Sequence, residues 1–226
     1  MRLGEPQRIS IDVEGNGRVS GLFQLPARAR GCLVLAHGAG AGMAHPFMVS
    51  VADGLCERGI ATLRFQFPYM EQGARRPDPP RLAQATVRAA VVEASRLAPG
   101  VPLFAGGKSF GGRMTSQAQV ATALPAVRGL VFFGFPLHPA GKPSVARGEH
   151  LFQVQVPMLF VQGTRDALAE LSLLEAAVKK LGALATLKLF EQADHSFHVP
   201  KRSGRSDAEI QREMLDEVGR WMRDYE

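Results

Sequence analysis

Ser109 sits between glycines in Gly107-Lys108-Ser109-Phe110-Gly111, directly after the apolar run Val101-Pro102-Leu103-Phe104-Ala105. A strand running straight into a glycine-flanked serine puts the hydroxyl at a sharp, strained turn where a neighbouring Cβ would clash. That is the setting of an exposed nucleophile. A serine hydroxyl attacks only when a base takes its proton and a third group orients the base. Downstream, the apolar run 158–161 continues through Gln162-Gly163-Thr164-Arg165 to Asp166. The run 186–190 continues through Glu191-Gln192-Ala193-Asp194 to His195. Ser109, Asp166 and His195 each fall beyond the carboxyl end of an expected strand, where open parallel sheets gather functional groups. Gly107-Lys108-Ser109 also matches the end of a phosphate loop, G-x-x-x-x-G-K-[ST]. The first glycine of that motif would be residue 102, which is Pro102. The phosphate-loop reading fails on this spacing.

Each residue has competitors. Asp166 is also placed to cap a helix starting near Ala167, a role compatible with orienting His195. Asp194 adjoins His195 in the chain, a poor position for reaching the far side of its ring. His198 is set aside as a pocket wall or surface residue. A tetrahedral intermediate needs backbone N–H donors for its oxyanion. Phe110, the residue after the nucleophile, supplies one. Ala39, in the glycine-rich stretch His37-Gly38-Ala39-Gly40-Ala41-Gly42, supplies the other. His37 is expected to shape that loop by hydrogen bonding. The substrate pocket is drawn from His37, Gly38, Gly40, Tyr69, Lys108 and His138. Lys108 either holds an anionic substrate or buries its stem with a solvated or paired head.

The elements that must position these groups follow from the apolar pattern. Residues 8–13 alternate, Glu14-Gly15-Asn16-Gly17 reads as a turn, and residues 19–25 return as the second arm of a hairpin. The runs 32–36, 60–67, 103–105, 129–133, 158–161 and 186–190 lack alternation, as strands covered on both faces do. Helix-period segments at 47–58, 81–97, 113–123, 168–181 and 208–225 lie between them. Pro99-Gly100 and Gly182 stop two of these, and Ser206-Asp207 caps the last. The expectation is an α/β domain over residues 1–226, with a mostly parallel eight-stranded sheet, helices on both faces and an antiparallel edge.

Leu35-Ala36-His37-Gly38, Gly107-x-Ser109-x-Gly111, Gly163-Thr164-Arg165-Asp166 and Asp194-His195-Ser196-Phe197 together resemble the α/β-hydrolase superfamily, most nearly its small dienelactone-hydrolase-like branch. The stretches 37–42 and Gly134-Phe135-Pro136-Leu137-His138-Pro139 are similar to short bacterial hydrolases of that branch. The resemblance spans nearly the whole chain. It implies a Ser–His–Asp mechanism with neither a metal nor an organic cofactor. Dienelactone hydrolase itself uses a cysteine nucleophile where this chain has Ser109, so its substrate does not carry over. The implied activity is hydrolysis of a carboxylic ester, with thioesters and amides sharing the steps. The competing reading is a hydrolase fold used as a binding or scaffold module. About 20 residues separate Leu137 from Pro157, too few for a lid domain, so a soluble or polymer-borne acyl substrate is expected.

Composition excludes other classes. The net charge of +6 comes from arginines scattered along the chain, without aromatic interleaving, so nucleic acid is not expected as a partner. No apolar run approaches the roughly 20 residues of a membrane span. Met1 to Gln7 lacks a signal-peptide pattern. The two cysteines, Cys32 and Cys56, read as buried thiols in a reducing, cytoplasmic setting.

Overall fold

The computed structural model describes residues 4–225. β1 (Gln7–Val13) and β2 (Gly17–Gln24) form an antiparallel hairpin in register from Gln7↔Phe23 to Val13↔Gly17. Gly15 and Gly17, at φ 69° and 80°, supply the left-handed backbone that the tight turn requires. β2 pairs antiparallel with β4 (Ile60–Phe65). From there β3 (Gly31–Ala36), β5 (Leu103–Lys108), β6 (Val127–Phe133), β7 (Met158–Gly163) and β8 (Ala185–Phe190) complete a parallel run. The order is β1-β2-β4-β3-β5-β6-β7-β8, the expected eight-stranded, mostly parallel sheet with an antiparallel edge.

Successive strand residues point to opposite faces, and the two faces bury separate cores. Val34, Ala36, Leu63, Phe65, Ala105, Phe132 and Phe160 pack with α3 (Pro80–Leu97), α4 (Phe110–Ala121) and α5 (Leu171–Leu181). Leu33, Leu35, Phe104, Val131, Phe133, Leu159 and Val161 pack with α1 (Pro46–Glu57) and α6 (Asp207–Arg223). This explains why the central strands read as unbroken apolar runs; β8 departs from the expectation, being an edge strand that is covered only in part, with Leu189 39% exposed. α6 begins at a capping box in which Ser206 and Glu209 satisfy each other's backbone N–H groups, as Ser206-Asp207 foretold. Its Trp221 lies against the backbone of β6, where a Cβ on Gly129 would stand 2.6 Å from the indole, and meets Phe104 edge-on at 6.0 Å. Trp221→Ala is therefore expected to cost about 3–5 kcal/mol of stability, read from the urea midpoint. A loss below about 1 kcal/mol would show that α6 contributes little to this core.

Several boundaries differ from the sequence reading, among them the following three. β4 stops at Phe65, because the Phe67–Pro68 step turns the chain into the short helix α2 (Pro68–Glu71). α4 starts at Phe110 rather than residue 113, so its first turn holds Gly111 and Gly112. α5 starts at Leu171 rather than residue 168, with Glu170 at its N-cap position. Asp166 does not cap it; its Oδ1 accepts from Leu168 N at 2.8 Å in a turn ahead of the helix. The connection from β6 to β7 contains a 3-10 helix (Ala146–Gln153) that leans on α4, with His150 Nε2 and Ser116 Oγ 2.8 Å apart. It forms no lid. Cys32 and Cys56 are free and buried, and burial pushes the Cys32 thiol up to about 12. Among the described residues, no helix is long and apolar enough to cross a membrane.

Candidate active site

Ser109 occupies the step between β5 and α4 at φ 51°, ψ −115°, a conformation few non-glycine residues adopt. Its amide is held by Phe133 O at 3.1 Å. The flanking glycines are needed for contact with β3. A Cβ on Gly107 would stand 2.3 Å from Ala36 O, and one on Gly111 would stand 2.4 Å from the same atom. The pentapeptide thus presses the elbow against the strand that leads into the glycine-rich loop.

The other two groups converge on it. His195 Nε2 lies 3.0 Å from Ser109 Oγ, and His195 Nδ1 lies 2.7 Å from Asp166 Oδ2. Asp166 is buried at 5% exposure. A carboxylate only accepts, so Nδ1 carries the ring proton and Nε2 is free to accept from the serine. The acid and histidine loops are laced together. Arg165 N donates to Ala193 O at 2.9 Å, Thr164 N to Phe190 O at 3.1 Å, and Gln192 N to Thr164 Oγ1 at 2.9 Å. Asp194 does not orient the imidazole. Its Oδ1 accepts from Ser196 N and His198 N at 2.8 and 3.0 Å, closing the loop that presents His195. His198 is exposed and pairs with Asp207 Oδ2 at 2.8 Å, which raises its pKa.

The glycine-rich loop is clamped by β4 and the turn after it. The register Ala36↔Phe65 sets residues 66–69 beside residues 37–40. His37 is fully buried, and its Nε2 accepts from Phe67 N at 3.2 Å. Its proton therefore lies on Nδ1, which donates to Gly38 O at 2.7 Å. Burial pushes the His37 pKa down to about 4, so the ring stays neutral and serves structure. In a planar trans peptide the N–H points opposite to the C=O. Holding Gly38 O on His37 thus turns Ala39 N–H away from the core. Tyr69 Oη accepts from Gly40 N at 2.9 Å, Gln66 Oε1 accepts from Met43 N at 2.8 Å, and Arg64 Nη1 donates to Met43 O at 3.1 Å. Phe110 opens α4, so its N–H has no acceptor within the helix.

Ser109 and His195 open into a cavity of about 430 Å³ whose other walls include Gly38, Ala39, Phe47, Met48, Lys108 and Leu168. Of the expected pocket residues, Gly38 and Lys108 line it. His37 and Tyr69 lie buried behind the loop, and Gly40 faces away as part of its clamp. His138 is also turned inward, with Nδ1 2.9 Å from Pro139 O and Nε2 accepting from Glu170 N at 2.8 Å. It ties the β6–β7 connection to the acid loop instead of facing the cavity. Residues that the sequence reading did not assign to the site include His45, Phe47, Met48 and Leu168 in the wall, and Arg64, Gln66 and Gln162 as supports. Gln162 Oε1 accepts from Phe135 N at 2.9 Å while its Nε2 donates to Asp166 Oδ2 at 2.5 Å. A glutamine inside an otherwise apolar strand was the available signal, since buried polar side chains need partners.

The chain matches the family described as "Alpha/beta hydrolase domain" over residues 29–223. It belongs to the α/β-hydrolase family. Among solved structures, it is similar to XC6422 from Xanthomonas campestris, described as an α/β serine hydrolase without lid. The TM-score is 0.75 and the identity 23%, covering 96% of this chain and 95% of that one. Dienelactone hydrolase from Anabaena variabilis matches at TM-score 0.75 and 20% identity, over 98% and 99% of the two chains. The Pyrococcus furiosus esterase Pf2001 matches at TM-score 0.76 and 15% identity, over 98% and 93%. At these identities the likeness is one of fold. The α/β-hydrolase fold accounts for three strand-end loops meeting at one cavity.

Proposed function

We propose that the chain is a serine hydrolase of carboxylic esters that works through an acyl-enzyme on Ser109. The observation that carries this reading is the unbroken hydrogen-bond chain from Ser109 Oγ through His195 to buried Asp166, opening into the cavity. Ser109 Oγ attacks the ester carbonyl as His195 Nε2 takes its proton. Asp166 holds the tautomer and stabilises the imidazolium that forms. The Ala39 and Phe110 N–H groups stabilise the oxyanion. Collapse of the tetrahedral intermediate expels the alcohol, which takes the proton from His195. Water, deprotonated by the same ring, then releases the acid. Phe47, Met48 and Leu168 favour a compact apolar acyl or alkyl group, and the lidless fold suits a soluble or polymer-borne ester. Thioesters and amides share every step.

The test is labelling with a fluorophosphonate probe alongside turnover of short p-nitrophenyl esters. The expected result is wild-type protein labelled and active, and Ser109→Ala unlabelled with only background turnover. Folded wild-type protein that neither labels nor turns over ester would favour a scaffold instead. The loop clamp gives a smaller effect. Tyr69→Phe removes the acceptor of Gly40 N and is expected to lower kcat about threefold to tenfold, with little change in KM. An unchanged kcat would mean that Tyr69 does not hold the loop in its working position.

A further inference from the structure

Lys108 directly precedes the serine, and the reaction steps above do not use it. Its ammonium donates to the backbone carbonyl of His195. It also rests 5.6 Å from the Phe47 ring centre and 5.1 Å from that of Phe197, rings that stack on each other at 5.9 Å with 10° between their planes. Gly134 makes room for this arrangement. A Cβ there would stand 2.7 Å from Lys108 Nζ and 3.3 Å from His195 Nδ1. The residue is at φ 68°, so glycine suits it on both counts. The loop being held is itself strained: Phe197, two residues after His195, sits at φ 64°. Bulky residues rarely adopt that conformation, so the surroundings must enforce it.

We propose that Lys108 is a positioning residue for His195: its charged head, seated on Phe47 and Phe197, fastens the His195 carbonyl and so fixes the imidazole between Ser109 and Asp166. The inference rests on the serine-hydrolase reading. A charged donor suits the task, because charge-assisted hydrogen bonds are roughly twice as strong as neutral ones. The ring faces add cation–π attraction. The charged groups around the head are Asp166 from the β7–α5 turn and Asp194 from the histidine loop, with the titratable rings of His195 itself and of His45 across the cavity. Both carboxylates favour the ammonium, but burial outweighs them and brings Lys108 down to about 8. The fastening is therefore in place at neutral pH and weakens as pH rises through that value. Above it the amine still donates a hydrogen but loses its charge and its hold on the rings.

The experiment compares wild type with Lys108→Met and Lys108→Arg, using fluorophosphonate labelling and kcat and KM for a neutral p-nitrophenyl ester from pH 6 to 10. Wild type is expected to show a fall in kcat centred near pH 8. Lys108→Met should lose about 30-fold or more in kcat at pH 7, with KM within threefold and labelling slowed in parallel. Lys108→Arg should recover most of kcat and carry the alkaline fall beyond the range. Unlabelled wild type would remove the hydrolase reading, and this inference with it. Labelled wild type matched in kcat by Lys108→Met overturns the inference alone. So does a loss confined to KM, which would mean that Lys108 touches substrate. If the methionine variant does not fold, the arginine variant decides: an alkaline fall that stays near pH 8 overturns the proposal.

Discussion

Asp166→Asn is expected to lower kcat roughly 10⁴-fold, although the new side chain has the same shape. Oδ2 of Asp166 accepts from two donors, His195 Nδ1 at 2.7 Å and Gln162 Nε2 at 2.5 Å, while Oδ1 accepts from Leu168 N at 2.8 Å. An asparagine amide has one acceptor oxygen. If that oxygen stays on Leu168 N, the NH₂ group faces two other donors. Gln162 cannot relieve the conflict by turning over, because its Oε1 is committed to Phe135 N. The imidazole is the free partner, and it responds by moving its proton to Nε2. That tautomer presents a donor to Ser109 and cannot accept its proton. Steady-state kinetics on a p-nitrophenyl ester read the loss, with thermal melting to establish that the variant is folded. A decrease smaller than tenfold would remove Asp166 from the role of orienting group.

The groups proposed for chemistry were legible because each stands at the end of an apolar run, and strand ends on one edge of a parallel sheet come together whatever the loops do. The meeting of Ser109, Asp166 and His195 needed only the direction of the strands. What was not legible depends on sheet order and register. That residues 64–69 grip the glycine-rich loop follows from β4 lying beside β3 with Phe65 opposite Ala36, a pairing no local pattern encodes. His138 looked like a pocket group because it lies in a loop following a strand. Its two ring nitrogens are instead spent on Pro139 and Glu170. The late start expected for α4 left Gly111 and Gly112 outside the helix, where their low intrinsic propensity alone would put them. Tertiary packing overrides that propensity, since only residues without a side chain fit so close to the strands, Gly111 against β3 and Gly112 against β5. Lys108 was read as either a substrate anchor or a buried stem with a solvated or paired head, and its partner is a backbone carbonyl 87 residues away in the chain.

Gly111→Ala tests that close packing, and it is expected to lower kcat/KM by at least about 10² while costing roughly 1–3 kcal/mol of stability. The added methyl would stand 2.4 Å from Ala36 O and 2.6 Å from both Ala36 C and His37 O. All of these are backbone atoms, so no side-chain rotation can absorb the clash. α4 must back away from β3, and Ser109 and the Phe110 N–H move with it. The Ala39 side of the proposed oxyanion site stays behind, anchored through His37, Gln66 and Tyr69. The two donors thus separate from each other, and the serine shifts relative to His195, whose loop is also laced to the turn after β7. Gly73→Ala is the control: it has positive φ at 68° but nothing within 4 Å of the added methyl. It should cost about 1–2 kcal/mol in backbone strain and leave kcat/KM unchanged. Chemical denaturation and ester kinetics on both variants separate the two effects. If Gly111→Ala lost stability but kept its kcat/KM, contact between the elbow and β3 would serve the fold alone, and the oxyanion site could not depend on the spacing between Ala39 and Phe110.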